Sequence, residues 1–231
     1  MKVVIDKVKV AHRAQNANTA SIGGLVMLMA GVILPMILPS LSQVISLGLI
    51  LAGIAVSMAG IYQANRWVRK PRPEELLSKA LKGLDDKYVL YHYPSLPCEH
   101  ILLTPDGVVN LETINLAGEY VFKGGRWKER MAMGRALRSV VEERLGDPTK
   151  SALAIQRFLA SKLAEVTGEQ ITVKPVIAFT HPDAMLELEA GGPVPVYTAK
   201  TLKKHVTIEG SRLSPETYDA IAGFLKKATT G

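Results

Sequence analysis

The stretch EHILLTPDGVVNLET, residues 99–113, decides the fold of the larger part of this chain. It holds two runs rich in β-forming residues, 99–104 and 108–113, and a Pro-Asp-Gly sequence at 105–107 separates them. Pro-Asp-Gly between two such runs is a strong signal for a β-hairpin. We therefore predict two antiparallel strands joined by a tight turn.

The segments on either side of this hairpin predict helices and further strands. Before it, residues 74–86 carry apolar side chains at helical spacing, and a strand-like run follows at 87–93. After it we predict strands at 118–122, 171–179 and 194–197, and helices at 129–145, 149–166, 198–206 and 214–228. This order of elements predicts an α/β or α+β domain with a mixed sheet.

Two long apolar segments precede this domain. SIGGLVMLMAGVILPMIL occupies residues 21–38, and VISLGLILAGIAVSMAGIY occupies residues 44–62. Each is long enough to cross a hydrocarbon core of about 30 Å at a rise of about 1.5 Å per residue. The Pro- and Ser-containing segment 39–43 favours a turn between them. We predict a transmembrane hairpin over 21–64 rather than a cleaved signal peptide or a buried hairpin of a soluble core, because a second uncharged span follows the first at once.

Charge around the hairpin predicts its orientation. The net charge is +7, and no charged residue lies between Arg13 and Arg66, whereas basic residues flank both sides. Basic flanks stay in the cytoplasm, and Tyr62 and Trp67 fit the aromatic belt at a membrane interface. We expect a protein integral to the cytoplasmic membrane, with the lipid bilayer as a partner and with both the N- and C-termini in the cytoplasm.

These patterns divide the chain into four parts. We predict a basic cytoplasmic N-terminal segment at 1–20, the hairpin at 21–64, an α/β domain at 72–206 and a C-terminal helix at 207–231. On the second membrane helix, small residues lie four apart in the pairs Gly48/Ala52, Gly53/Ser57 and Ala55/Ala59. Such pairs let another helix approach closely. They indicate packing against the first helix, or contact with a second copy or another membrane protein.

The stretch EHILLTPDGVVNLETINLAGEYVFKGGRW, residues 99–127, resembles the nuclease-related domain (NERD) family, and the resemblance extends over about residues 72–206. The turn at 105–107 matches the family's turn, and Gly118 and Trp127 match residues that follow it. Glu99-His100 stands where the family usually has Asp-His. The resemblance implies the restriction-endonuclease-like fold, an α/β architecture in which helices flank a mixed sheet.

The resemblance also implies a catalytic site, and this sequence departs from it at one position. In the family a strand ends in Glu-x-Lys, but here Glu112 is followed two residues later by Ile114. Glu99 and Glu112 would be the catalytic acids and the ligands of Mg²⁺, since two carboxylates on neighbouring strands can hold this ion. Isoleucine cannot orient a water or stabilise charge, and losing one such group costs on the order of 10²–10³ in rate. Lys123 or Lys128 is the candidate substitute.

Two further residues bear on this site. The family's pattern includes a glutamate on a helix, for which Glu75 is the candidate here. The single cysteine, Cys98, excludes an intramolecular disulfide and a Cys-based zinc site, and we interpret it as a small buried apolar residue rather than a nucleophile.

Three functions remain open from the sequence. The first, which we favour, is a membrane-anchored domain that has lost catalysis and acts as a binding or scaffolding module, an accessory subunit of a membrane complex. The second is a Mg²⁺-dependent nuclease with a rearranged lysine, so enzymatic activity stays uncertain. The third is a nucleic-acid-binding module without cleavage. Its candidate surface, which also reads as a solvated amphipathic face, comprises Arg126, Lys128, Arg130, Arg135 and Arg138.

Overall fold

The computed structural model describes residues 1–38, 43–130, 145–208 and 212–231. Within these residues, one unit consists of Met1–Asp6 and the chain from Pro73 onward, and the other consists of Lys7–Arg72. The first unit is α/β, as predicted, and the second is helical.

A six-stranded mixed sheet forms the centre of the α/β unit. Its strands, in spatial order, are β1 (Lys2–Ile5), β2 (Val89–His92), β3 (His100–Thr104), β4 (Gly107–Ile114), β7 (Val173–Phe179) and β9 (Val196–Thr198). The strands from β2 to β4 are antiparallel, whereas β1 pairs parallel to β2 and β7 lies parallel between β4 and β9. This arrangement confirms the predicted hairpin and the mixed sheet.

A second sheet of three strands lies in the same unit. It contains β5 (Gly118–Lys123), β6 (Arg126–Arg130) and β8 (Ala184–Leu188), with β5 in the middle. Only β5 was expected from the sequence. Residues 129–145 were predicted to form a helix, but Glu129 and Arg130 belong to β6, and residues 131–144 lie outside the described residues.

The described residues form five α-helices. They are α1 (Lys7–Ile37), α2 (Gln43–Trp67), α3 (Pro73–Ala80), α4 (Pro148–Thr167) and α5 (Pro215–Thr230). Asp147 caps α4 by accepting from the Lys150 N–H, and Ser214 caps α5 by accepting from the Thr217 N–H. The helix predicted at 198–206 is only a 3₁₀ turn at Leu202–Lys204.

Helices cover both faces of the six-stranded sheet. On one face, buried side chains of β2, β3 and β4 pack against Leu159 and Leu163 of α4 and Ile221 and Leu225 of α5. On the other face, alternate side chains of the same strands pack against α3 and the 3₁₀ turn. Because strand side chains alternate between faces, this double burial explains the nearly continuous apolar runs in β3 and β4.

Two predicted boundaries differ from the structure. Residues 1–20 were expected to form one basic segment, but Lys2–Ile5 form β1 and α1 begins at Lys7. The backbone N–H of Lys2 donates to the carbonyl of Tyr88 over 2.9 Å, so β1 is an edge strand of the main sheet. Residues 207–231 were expected to be a separate helix, but α5 contributes buried side chains to the main core.

The helical unit contains two helices, α1 and α2, that are long and apolar enough to cross a membrane. Their mutual contact repeats every seven residues. The buried residues of α1 are Val10, Ala17, Gly24 and Gly31, and those of α2 are Gly53, Gly60 and Trp67. A seven-residue repeat is the spacing that keeps one seam of two helices in contact.

Glycine at this seam allows the two backbones to approach closely. A Cβ added at Gly60 would lie 2.5 Å from the backbone nitrogen of Ser21, and one added at Gly53 would lie 2.9 Å from the nitrogen of Leu28. A Cβ at Gly48, in contrast, would meet nothing within 4 Å. Gly53 therefore packs within the hairpin, whereas Gly48, Ala52, Ala55 and Ala59 lie on the outer surface of α2.

We predict that Gly60→Ala destabilises the hairpin, whereas Gly48→Ala does not. The new methyl group at position 60 forces the helices apart against backbone atoms, and overpacking of this kind costs about 1–3 kcal/mol. At position 48 the same change removes a helix-interior glycine in open space and is neutral or stabilising by up to about 1 kcal/mol. Thermal unfolding of the full chain in detergent, followed by circular dichroism, measures both. Equal effects at the two positions would contradict the glycine seam.

Candidate functional site

The two predicted acids lie near the end of the ladder between β3 and β4. The last pair of this ladder is Ile101 with Asn110; Glu99 precedes β3 by one residue, and Glu112 lies within β4. Both glutamates are half-buried. The side-chain amide of Asn110 donates to the carbonyl of Ala152 in α4, and Glu112, two residues further along the strand, shares that face of β4.

Cys98 lies beside this pair. Burial, together with the negative charge of Glu112, raises the pKa of the Cys98 thiol to about 12. The thiol is therefore protonated at neutral pH, and the thiolate is the form that acts as a nucleophile. Cys98 also packs in the main core with Ile101 and Leu103, which confirms that it is a buried apolar residue.

Ile114 occupies the position that the family gives to lysine, and its surroundings are apolar. It lies two residues after Glu112 and therefore on the same face of β4. Its side chain is 8 % exposed and belongs to a cluster with Tyr120, Ile177 and Phe179. A cation in this apolar cluster would lose much of its hydration, which is costly.

The two candidate substitute lysines lie elsewhere. Tyr120 and Phe122 of β5 point into the protein, where their rings contact Phe179 and Trp127 respectively. Side-chain alternation places Lys123 on the opposite, outer face of β5. Lys128 pairs with Val121 and so shares that outer face, and both lysines are exposed. The structure does not place either of them with Glu99 and Glu112.

The candidate phosphate-binding cluster has mixed charge where the structure describes it. Arg126, Lys128 and Arg130 are exposed and alternate along β6, so they share its outer face. Glu119 pairs with Arg130 across the strands, and Glu187 forms an ion pair with Arg130 at 3.0 Å. Arg135 and Arg138 lie outside the described residues. The described part is a solvated face with charges of both signs.

A buried glutamate is present on α3, one residue before the predicted one. Glu74 is 4 % exposed, and Oε2 of its carboxylate accepts a hydrogen bond of 2.8 Å from the Tyr93 hydroxyl, whereas Glu75 is exposed. The helical spacing of the sequence distinguishes Glu74 from Glu75. Glu74 lies three residues before Leu77 and therefore on the buried stripe of α3, whereas Glu75 lies on the next face.

A pair of buried histidines lies on the other face of β2 and β3. The Nδ1 atoms of His92 and His100 are 2.8 Å apart, and the hydroxyl oxygen of Ser78 lies 2.9 Å from Nε2 of His92. Burial lowers the pKa of His92 to about 3, so this ring is neutral. One proton therefore lies between the two Nδ1 atoms. Both rings are buried, and no spacing pattern in the sequence indicated that they meet.

The side chains at this site offer few ligands for a magnesium ion. Among the ranges that the structure describes, no group of three His, Cys, Asp or Glu side chains could hold a metal ion. Glu99 and Glu112 supply two carboxylates, and Mg²⁺ is often bound by one or two carboxylates together with waters and phosphate oxygens. The two glutamates are thus the residues that fit this ion.

Comparison with known proteins agrees with the resemblance seen in the sequence. Residues 71–180 match the family model described as the nuclease-related domain. The match includes the two acids and Ile114, and it ends before the strands β8 and β9. No curated protein and no solved structure matches the chain.

We predict that Ile114→Lys lowers the stability of the protein, whereas Ile114→Met is tolerated. Lysine would bring an ammonium group into the cluster of Tyr120, Ile177 and Phe179, at a cost of about 2 kcal/mol or more. Methionine keeps the volume and apolar character and costs less than about 1.5 kcal/mol. Chemical unfolding of the full chain, followed by fluorescence of its two tryptophans, compares the two. Wild-type stability in Ile114→Lys would show that the position accepts a cation.

Proposed function

We propose that this chain, which contains a nuclease-related domain, is a membrane-anchored binding module that no longer cleaves nucleic acid. It would act at the cytoplasmic face of the membrane as a scaffold or an accessory subunit of a larger complex. The observation that carries the proposal is the buried, apolar setting of Ile114 on the same strand face as Glu112.

Hydrolysis of a phosphodiester at this site needs more than the two acids. Glu99 and Glu112 can hold Mg²⁺, which would activate a water and neutralise charge on the phosphate. A cationic side chain beside the metal would orient that water or stabilise the charge of the transition state. The apolar cluster around Ile114 offers no such group, and Lys123 and Lys128 lie on the outer face of another sheet. This combination supports binding without cleavage.

The connectivity of the main sheet supports the membrane anchor. Strand β1 precedes the hairpin of α1 and α2, β2 follows it, and the two strands pair side by side. A hairpin that crosses a bilayer twice returns the chain to the side from which it started, as this pairing requires. The basic residues at both flanks favour the cytoplasm for that side.

The outer surface of α2 supports a role in assembly. Gly48, Ala52, Ala55 and Ala59 face away from α1 and present small side chains. Helix contacts inside membranes favour such residues because the backbones can approach closely. A second copy of the chain or another membrane protein is the partner we propose for this surface.

We predict that the full chain, purified in detergent, does not cleave single- or double-stranded DNA with Mg²⁺ or Mn²⁺. The matched control is Glu112→Gln, which keeps the size of the side chain and removes its charge. Wild type and Glu112→Gln should give the same background. Metal-dependent cleavage by wild type that Glu112→Gln abolishes would contradict the proposal.

A working nuclease is the second candidate, and the two half-buried carboxylates of Glu99 and Glu112 favour it. In that case a lysine from elsewhere must complete the site, so Lys123→Ala or Lys128→Ala should remove the cleavage seen in wild type. Cleavage that survives both substitutions would exclude these two lysines as substitutes.

A further inference from the structure

Asn110 is a polar residue in an otherwise apolar part of β4. The strand is buried from Gly107 to Leu111 and half-buried at Glu112 and Thr113. Asn110 itself is only 1 % exposed. Burying a side-chain amide is costly unless both its nitrogen and its oxygen have partners. The environment of each of these two atoms therefore needs to be considered separately.

The nitrogen of this amide has a partner in α4. Nδ2 of Asn110 donates to the carbonyl of Ala152 over 3.3 Å. A carbonyl only accepts hydrogen bonds, so this contact fixes the orientation of the amide, and Oδ1 faces away from the Ala152 carbonyl. Within the part of the chain that the structure describes, Oδ1 is buried and accepts no hydrogen bond. Proteins rarely leave such an acceptor unpaired, and a bound ion or water is a common reason when they do.

The neighbours of Asn110 in the sheet are not able to pair with this oxygen. Asn110 lies opposite Ile101 of β3 on one side and opposite Pro175 of β7 on the other. The side chain of isoleucine carries no donor, and proline has neither a side-chain donor nor a backbone N–H. The oxygen is therefore suited to a partner that does not belong to the sheet.

The position of Glu112 indicates that this partner is a cation. Glu112 lies two residues after Asn110 on the same face of β4, about 7 Å further along the strand. An amide oxygen and a longer carboxylate at this spacing can converge on one ion, and both are oxygen ligands of the kind that hard divalent cations bind. Since the strand becomes half-buried at Glu112, an ion can approach Asn110 from that side.

We propose that Oδ1 of Asn110 is a ligand of the divalent cation that Glu112 holds. The inference rests on the metal-holding acids of the proposed function and adds a neutral oxygen to them. Among the described residues, no group of three His, Cys, Asp or Glu side chains could hold a metal ion, so an amide oxygen widens the set of donors. The remaining positions of the ion would take waters or a phosphate oxygen.

The experiment titrates the full chain in a neutral detergent with MgCl₂, at constant ionic strength and without nucleic acid, and follows the midpoint of thermal unfolding. A cation that binds only the folded state raises this midpoint. Asn110→Leu keeps the branched shape of the side chain and removes both polar atoms. We expect it to bind Mg²⁺ at least about tenfold more weakly than wild type, the loss typical of a missing partner at a metal site. Equal affinity, or a wild type that Mg²⁺ does not stabilise, would overturn the proposal.

Asn110→Asp distinguishes a ligand from a buried polar group without a role in metal binding. Aspartate keeps the size of the side chain and adds a negative charge, which strengthens a divalent-cation site but is costly when buried alone. We therefore expect Asn110→Asp to be less stable than wild type without Mg²⁺ and to show a larger rise in the unfolding midpoint with it. A loss of stability that Mg²⁺ does not reverse more than in wild type would overturn the proposal.

Gln156→Leu is the matched control. Like Asn110, Gln156 of α4 donates from its amide nitrogen to a backbone carbonyl, that of Val173, over 2.9 Å. Its loss should leave the affinity for Mg²⁺ unchanged, whereas Glu112→Gln should weaken it as Asn110→Leu does. Equal weakening by Gln156→Leu and Asn110→Leu would reduce the effect to lost packing against α4 and overturn the assignment. Circular dichroism without Mg²⁺ verifies that these variants are folded.

The cation measurement and the cleavage assay fail separately. Metal-dependent cleavage of DNA by wild type would overturn the proposed loss of activity but would leave the role of Asn110 intact. Equal Mg²⁺ affinity of wild type and Asn110→Leu, in contrast, would overturn the role of Asn110 and leave the proposed binding module without it.

Discussion

The parallel pairing of β1 with β2 is the constraint on which the rest of the architecture depends. These strands are neighbours in the sheet but are separated in sequence by the whole helical hairpin. The chain therefore leaves this sheet after β1, forms α1 and α2, and returns to the same sheet at β2. Without β1, the edge of β2 would present unpaired N–H and C=O groups, which is a template for aggregation. The α/β unit is therefore not only the continuous segment that follows α2, because it also includes Met1–Asp6.

The same sheet determines what the candidate site can do. Glu112 lies on β4 just beyond the end of its ladder with β3, and two residues further along β4 the same strand face turns apolar at Ile114. Ile114 packs among Tyr120, Ile177 and Phe179. A charged lysine at this position would lose much of its hydration. We therefore propose a domain that binds without cleaving nucleic acid.

Sequence reasoning recovered the features that depend on local patterns. The turn at 105–107, the positions of α4 and α5, and the two long apolar helices all carry strong local signals. It missed β1, β6 and β8 because these strands are short or charged, and pairing with a neighbour, rather than composition, makes them strands. The sequence RWKER of β6, in particular, was included at its end in a predicted helix.

In the candidate site, the acids and the isoleucine could be named from the motif, whereas Glu74 and His92 could not. Glu74 rather than Glu75 lies on the buried stripe of α3. The two residues are neighbours near the end of a short helix, where the edge of the buried stripe is hard to predict from the sequence. The contact of His92 with His100 arises only from the register of β2 and β3, which pairs two residues eight positions apart.

The most direct test of this architecture locates the two ends and the tip of the hairpin across the membrane. In a Cys98→Ala background, single cysteines at Lys7→Cys, Ser40→Cys and Arg69→Cys are labelled in intact cells with a membrane-impermeant maleimide. The account predicts that only the cysteine at position 40 reacts, and that positions 7 and 69 react after the membrane is permeabilised. Labelling of one end but not the other in intact cells would contradict the account, because β1 and β2 would then lie on opposite sides and could not pair.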